Sequence, residues 1–158
     1  RGSFIPLWIE LINKNIPIKV TSMECTRFLF PLSDAVETVL SSLYYSEGGE
    51  VFIPKINSFK IGDMIEAVKR IIKLNKIDYK LTGLRPGEKL HEDMLAKTEL
   101  PFTYEVTDKL LTVLPQYSHK SYTYTTKYEG LELNSSLHNN NNINDLVKTI
   151  KRGVSDAD

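Results

Sequence analysis

The spacing of apolar residues predicts three helices between residues 4 and 75. The first covers Phe4–Lys14, the second begins with Ser33 as its N-cap and runs to Tyr45, and the third covers Gly62–Asn75. The side chains predicted to face a core are Ile5, Trp8, Ile9 and Ile12 in the first helix, Ala35, Val36, Val39, Leu40 and Leu43 in the second, and Met64, Ile65, Val68, Ile71 and Ile72 in the third.

Short apolar or alternating segments outside these helices predict strands. The predicted strands are Pro17–Thr21, Thr26–Phe30, Glu50–Pro54, Asp78–Thr82 and Lys109–Leu114. Gly48-Gly49 ends the second helix before the strand that starts at Glu50.

The composition changes after Pro115. Residues 116–128 are rich in Tyr, Ser and Thr, and we expect an irregular, partly packed extension there. The asparagine-rich tract 138–144 predicts a disordered loop. Asn144 is predicted to cap a final helix, Asp145–Arg152, which Gly153 would end. The chain is therefore divided into residues 1–115 and a C-terminal extension, residues 116–158.

Residues 81–90 predict the end of a strand, a tight turn at Pro86-Gly87 and the start of a short helix through Leu95. One interpretation is purely structural, because a carboxylate such as Glu88 is favoured in the first turn of a helix. The other is a ligand site. The planar fork of Arg85 suits a diphosphate, and the Glu88 carboxylate can accept hydrogen bonds from two vicinal hydroxyls of a ribose.

Three segments resemble the nucleotide-sugar 4,6-dehydratases of polysaccharide biosynthesis, within the extended short-chain dehydrogenase/reductase superfamily. Residues 84–92 resemble the family loop near its C-terminal end. Arg1–Leu7 is similar to the segment after the sixth Rossmann strand, and Thr26–Phe28 with Pro31–Val36 resembles the sugar-nucleotide segment. The resemblance is strongest to the capsule-type UDP-N-acetylglucosamine 4,6-dehydratases, including those that also epimerise C5.

The resemblance implies an α/β fold: the C-terminal substrate domain of an extended Rossmann-type enzyme, with most of the Rossmann sheet missing from this chain. It implies that residues 1–115 bind a sugar nucleotide. The residues expected to bind the UDP-sugar are Arg27, Arg85 and Glu88, together with Arg1 and Ser3. It implies no catalytic residue on this chain.

The family reaction uses NAD or NADP, which the resemblance places in a Rossmann half not present here. No Gly-x-Gly-x-x-Gly fingerprint occurs, and no Tyr-x-x-x-Lys pair occurs at the expected place. We therefore expect a partner: a Rossmann half, in the same or a separate polypeptide. The complete enzyme is expected to be a homo-oligomer.

Composition excludes some other classes. The net charge is zero, with 20 basic and 20 acidic residues, which gives no electrostatic support for nucleic-acid binding. The longest apolar stretch, Phe4–Ile12, is too short to span a bilayer. The single Cys25 is predicted to be a structural thiol in a reducing compartment, the cytoplasm. His91 and Glu92 lack the spacing of helical metal ligands, so we expect no metal site.

Three functional interpretations remain open. The first is the substrate-binding part of a UDP-N-acetylglucosamine 4,6-dehydratase. The second is a UDP-sugar 4-epimerase of the same superfamily. The third is a remnant without enzyme activity. Because the strand at Glu50–Pro54 needs a sheet to join, we also predict that the isolated chain is poorly soluble or partly unfolded.

Overall fold

The computed structural model describes residues 4–155, which form four α-helices, one short 3-10 helix (Leu100–Phe102) and nine short strands. The helices are α1 (Phe4–Asn13), α2 (Leu32–Tyr45), α3 (Ile61–Ile71) and α4 (Ile143–Ser155). The strands are β1 (Ile18–Val20), β2 (Thr26–Phe28), β3 (Val51–Pro54), β4 (Ser58–Lys60), β5 (Tyr79–Leu81), β6 (Asp93–Leu95), β7 (Thr103–Thr107), β8 (Leu110–Val113) and β9 (Leu133–Asn134). The fold is mixed α/β, as expected.

The larger core lies between two strand pairs and three helices. β1 pairs in parallel with β5, β2 pairs antiparallel with β4, and α1, α3 and α4 pack around them. Buried members of this core are Ile5, Trp8, Ile18, Val20, Cys25, Phe59, Met64, Ile65, Val68, Leu146 and Ile150. The predicted apolar faces of the first and third helices are therefore confirmed, and the Cys25 thiol is buried as a structural group.

A smaller core forms where the second half of the chain folds back. β3, β8 and β7 make an antiparallel sheet in that order, and β6 pairs antiparallel with β9. Ile53, Leu95, Leu111 and Leu133 are buried between them. The sequence did not predict β6, β7 or β9. Of these, β6 and β9 are short and each is defined by a partner distant in sequence.

The asparagine-rich tract is ordered, so the prediction of a disordered loop is wrong. The backbone N–H of Asn140 donates to the carbonyl of Ser58 at 2.8 Å, which ties the tract to β4. Within the tract, Asn side chains accept backbone N–H groups two residues onward, as in Asx turns. The side chain of Asn142, rather than Asn144, caps α4 by accepting the N–H of Asn144, and Gly153 lies inside that helix rather than ending it.

The Tyr-rich segment is irregular, as predicted, and its side chains bind the turn between α2 and β3. Tyr122 donates to the carbonyl of Gly48 at 3.0 Å, and Tyr124 donates to the carbonyl of Tyr45 at 2.7 Å. The bond to Tyr45 satisfies a carbonyl at the end of α2, which has no partner within the helix, and the bond to Gly48 holds the turn that follows.

The second helix departs from prediction in two ways. α2 begins at Leu32 after Pro31, without a side-chain cap, so Ser33 is not its N-cap. None of its residues is buried. The apolar side chains predicted to face the core, Val36, Val39, Leu40 and Leu43, are between 50% and 72% exposed. Periodicity identified the apolar face correctly, but it carries no information about what covers that face.

Within residues 4–155, no helix is both long enough and apolar enough to cross a bilayer.

Candidate functional site

A loop following β5, residues 84–92 and here termed the ligand loop, is held between β1 and β2. Just before it, the N–H of Thr82 donates to the carbonyl of Val20 at 2.9 Å. Near its other end, the N–H of Thr26 donates to the carbonyl of Leu90 at 3.0 Å. The parallel pairing of β1 with β5 and these two hydrogen bonds thus place the loop beside β2, which carries Arg27.

The tight turn at Pro86-Gly87 is present as predicted. The N–H of Glu88 donates to the carbonyl of Arg85 at 3.0 Å, and Gly87 has a φ of 80°. Proline followed by a residue with positive φ is the pattern of a type II turn, which favours glycine at the second central position. The Glu88 side chain closes the turn further, because one of its oxygens accepts the N–H of Arg85 at 3.2 Å.

The helix predicted from Glu88 to Leu95 does not form. The chain stays irregular after the turn and then enters β6, which pairs with β9. That long-range pairing satisfies backbone groups which a helix would have bonded locally, and it overrides the local preference. Glu88 therefore does not compensate a helix dipole; its carboxylate is held by the turn and by Arg27.

Arg27 is the most connected side chain of the site. Its guanidinium donates to the carbonyls of Thr26 at 2.8 Å, Leu90 at 3.1 Å and Lys89 at 3.0 Å. The same group lies 3.5 Å from the Glu88 carboxylate and 3.8 Å from that of Glu92. With only 21% of the side chain exposed, this planar fork joins β2 to the ligand loop.

The five residues predicted to bind substrate do not all come together. Arg27 and Glu88 are paired, and Arg85 lies on the same turn as Glu88 with an exposed side chain. Arg1 and Ser3 lie outside the described residues. The site therefore presents one exposed arginine beside an arginine–carboxylate pair, an arrangement suited to an anionic group next to a hydroxyl-bearing group.

Sequence reasoning missed several residues that build this site. Glu92 was considered only as a metal ligand, yet its carboxylate faces Arg27. Thr26 and Ser135 are buried polar residues that bond to the ligand loop or to each other. A buried threonine in a strand gives no signal in the sequence, and Ser135 approaches only through the fold. The described residues contain no cluster of three or more His, Cys, Asp or Glu that could hold a metal ion.

Asp93 connects the site to the C-terminal extension. The side-chain amide of Asn134 donates to its carboxylate at 2.6 Å, and Lys89 lies 3.4 Å from the other oxygen. The pKa of the Asp93 carboxyl is lowered, first by the hydrogen bond from Asn134 and then by the hydrogen bond and positive charge of Lys89. The loop is thus fixed by Arg27 on one side and by the extension on the other.

A groove of about 650 Å³ lies apart from the ligand loop, along the polar face of α2. Its walls come from that helix, the connection between β3 and β4, the β7–β8 hairpin and the end of α4. Asp34, Glu37, Thr38 and Ser41 of α2 point toward this groove, which leaves the apolar side of the same helix facing outward.

The family described as "Polysaccharide biosynthesis protein" matches residues 1–113, including β2 and the ligand loop. The chain belongs to this family. Among curated relatives, a UDP-N-acetylglucosamine 4,6-dehydratase (inverting) of Campylobacter jejuni is 43% identical over 108 residues, covering 66% of this chain and 30% of that protein. A Methanocaldococcus jannaschii protein, named only as an uncharacterized membrane protein, is 38% identical over 121 residues, covering 73% and 36%.

A UDP-glucose 4-epimerase of Rickettsia bellii is also similar, with 34% identity over 100 residues, covering 63% of this chain and 29% of that protein. Among solved structures, the X-ray structure of Pen from Bacillus thuringiensis superposes with a TM-score of 0.78 at 26% identity, covering 98% of this chain and 46% of that one. The chain thus spans about a third of the length of these curated relatives. Its recognition as a C-terminal part of the capsule and polysaccharide dehydratase family is confirmed.

Proposed function

We propose that this chain binds the UDP moiety of a UDP-sugar, as the substrate-binding part of an NAD(P)-dependent UDP-N-acetylglucosamine 4,6-dehydratase in surface polysaccharide biosynthesis. The observation that supports this is the pairing of Arg27 with Glu88 on the family-matched ligand loop, next to the exposed Arg85. In the proposal, Arg85 and Arg27 bind the diphosphate and Glu88 accepts the ribose hydroxyls. Arg1 and Ser3, which lie within the family-matched residues 1–113, remain candidates for binding the UDP-sugar.

The dehydratase activity is favoured over the 4-epimerase because the dehydratase relative is 43% identical and the epimerase relative 34%. The epimerase is nevertheless a specific second candidate, since both relatives align over about the same length. Both activities would use the same UDP-binding residues, so product chemistry must separate them.

The residues that the structure describes, 4–155, do not fit a dinucleotide cradle. Gly83 and Gly87 are the glycines of the segment that follows a parallel strand, and a Cβ added at either would meet nothing within 4 Å. In a dinucleotide-binding fold, glycines let the backbone approach the pyrophosphate closely at the N-terminus of a helix. Neither Gly83 nor Gly87 lies at the N-terminus of a helix. We therefore propose that NAD or NADP binds to a Rossmann half and that these residues take no part in hydride transfer.

The proposal includes that Rossmann half as a partner, either in the same polypeptide or as a separate one. The chain covers 46% of the Pen structure, and the outward apolar face of α2 is a surface such a half could bury. The complete enzyme is proposed to be a cytoplasmic homo-oligomer that acts on a UDP-sugar without binding nucleic acid.

The test has two stages. First, the protein with its Rossmann half is titrated with UDP by calorimetry; binding in the micromolar range is expected, and the absence of binding overturns the proposal. Second, the protein with its Rossmann half is incubated with UDP-N-acetylglucosamine and the products are analysed by NMR. A 4-keto-6-deoxy sugar identifies a dehydratase, and the configuration at C5 shows whether that centre is inverted. A C4 epimer identifies the second candidate, and unchanged substrate indicates a remnant without activity.

A further inference from the structure

A buried chain of hydrogen bonds joins three segments of the protein behind the ligand loop. The hydroxyl of Thr26, on β2, lies 2.8 Å from Nδ1 of His91, on the loop. The same hydroxyl lies 2.6 Å from that of Ser135, in the C-terminal extension. Thr26 is 2% exposed and Ser135 is fully buried, so water cannot replace these partners without rearrangement.

Ser135 bonds to the loop through both its side chain and its backbone. The N–H of Glu92 donates to its hydroxyl at 2.7 Å, and its own N–H donates to the carbonyl of Glu92 at 2.8 Å. Its carbonyl accepts the hydroxyl of Ser58, on β4, at 2.5 Å. One residue therefore fixes the last residue of the ligand loop against β2 and β4.

These bonds lie directly behind the proposed nucleotide-binding groups. The Thr26 carbonyl, which accepts from Arg27, also lies 3.3 Å from the hydroxyl of Ser135. Ser135 bonds to the backbone of Glu92, and the Glu92 carboxylate lies 3.8 Å from Arg27. Ser135 thus bonds to Thr26 and to Glu92, which both contact the Arg27 guanidinium. None of the described hydrogen bonds of Ser135 reaches that guanidinium itself.

We propose that Ser135 is a positioning residue, which holds Arg27 and the ligand loop in the arrangement that binds a nucleoside diphosphate. The proposal rests on the proposed function. Ser135 lies outside the family-matched residues 1–113, so the C-terminal extension completes the site of the matched part. Loss of its hydroxyl would leave the N–H of Glu92, which is half-buried, without its acceptor, and the loop would have to move to solvate it fully.

The experiment compares three variants of the protein together with its Rossmann half. Ser135→Ala removes the hydroxyl, Ser135→Thr retains it, and Ser136→Ala is the control because Ser136 is exposed and bonds only locally, to Asn134. Hydrogen exchange is followed on the peptide covering residues 84–93, and UDP affinity is measured by calorimetry. We expect Ser135→Ala to speed exchange at Glu92 at least tenfold and to raise the UDP Kd at least fivefold, with Ser135→Thr and Ser136→Ala close to the parent protein.

The outcomes separate this proposal from the proposed function. If the parent protein does not bind UDP, the proposed function is overturned and this proposal with it. If the parent protein binds UDP and Ser135→Ala binds equally well, only the role of Ser135 is overturned. Should Ser135→Ala fail to fold, Thr26→Val against Thr26→Ser tests the same hydrogen-bond chain, and equal UDP affinity in that pair overturns the proposal.

Discussion

The carboxylate of Glu88 lies 3.5 Å from the guanidinium of Arg27, although the two residues belong to separate strand–loop units. Both side chains are about three-quarters buried, so solvent screens the pair less than it would an exposed ion pair. The pair places a cation and a carboxylate side by side at a fixed separation. In the proposed function, ligand binding replaces this mutual contact with a diphosphate on Arg27 and a ribose on Glu88.

Arg27→Ala is expected to weaken UDP binding and to loosen the ligand loop together. The substitution removes the donor to three carbonyls and leaves the Glu88 and Glu92 carboxylates without their common cation. We expect the UDP Kd to rise at least tenfold, about 1.4 kcal/mol, with faster hydrogen exchange over residues 84–93. Arg27→Lys should be intermediate, because an ammonium lacks the planar fork.

The control for Arg27 is Arg70→Ala, which removes the same charge from the exposed side of α3, where Arg70 pairs with Glu66. It should leave UDP binding and loop exchange unchanged. Equal UDP affinity for Arg27→Ala and Arg70→Ala would show that Arg27 has no part in the site.

The sequence predicted the site's local turn but not its surroundings. Pro86-Gly87 specifies its turn through its own backbone preferences, so the turn could be predicted and was found. The helix after Glu88 was predicted from the same kind of local signal and was wrong, because β6 pairs with β9 from a distant segment. Contacts such as Glu92 with Ser135 depend wholly on the fold, and no local pattern reports them.

The same distinction explains the helices. The apolar stripe of α3 meets α4 and the strands, so its predicted burial is confirmed. The stripe of α2 also follows the helical period but faces outward. The spacing of apolar residues shows which side of a helix is apolar. It does not show which other segment, or which partner, packs against that side.

Because of that outward face, the chain without a partner is expected to self-associate. Exposed contiguous apolar surface favours association, and Leu40, at its centre, is 62% exposed. Leu40→Glu should shift the protein toward its 18.0 kDa monomer in light scattering while leaving its thermal stability nearly unchanged. Gln116→Glu, which adds the same charge in the exposed extension, is the control and should not change the distribution.

A strictly monomeric parent chain with a sharp cooperative melt would contradict this prediction. It would also contradict the expectation that the isolated chain is poorly soluble or partly unfolded.

Glu50 is expected to make stability depend on acid pH. Burial raises the pKa of its carboxyl, but backbone N–H donors from Glu50, Glu47 and Gly48 outweigh this and lower the pKa from 4.5 to about 2. A lowered pKa in the folded state stabilises the protein above the unfolded value, and the contribution is lost as pH falls from about 4.5 toward 2. The Tm difference between the parent protein and Glu50→Gln should therefore be largest near pH 6 and shrink steadily below pH 4.5.

Tyr124 responds to the same carboxylate, since burial and then the 3.1 Å hydrogen bond to Glu50 raise the pKa of its phenol. Glu129→Gln, which removes an exposed carboxylate of the extension, is the control for Glu50→Gln. A Tm difference for Glu50→Gln that stays constant from pH 6 to pH 2.5 would disprove the linkage.

Arg85→Ala gives the most direct test of the site, because the described contacts of Arg85 are made by its backbone and not by its side chain. The substitution should therefore leave the turn and the thermal stability intact, within about 0.5 kcal/mol for an exposed position. A bidentate arginine–phosphate contact is charge-assisted, and its loss should raise the Kd for the UDP-sugar at least tenfold, about 1.4 kcal/mol, in the complete enzyme. Arg85→Lys should recover only part of that affinity.

Lys80→Ala serves as the matched control, since it removes an exposed cation from the adjacent strand β5. Titration of all three variants with UDP and with uridine then locates the effect. If Arg85 binds the diphosphate, Arg85→Ala weakens UDP binding and leaves the weaker uridine binding unchanged. An unchanged UDP constant in Arg85→Ala would remove Arg85 from the site and leave the paired Arg27 as the diphosphate ligand of the proposal.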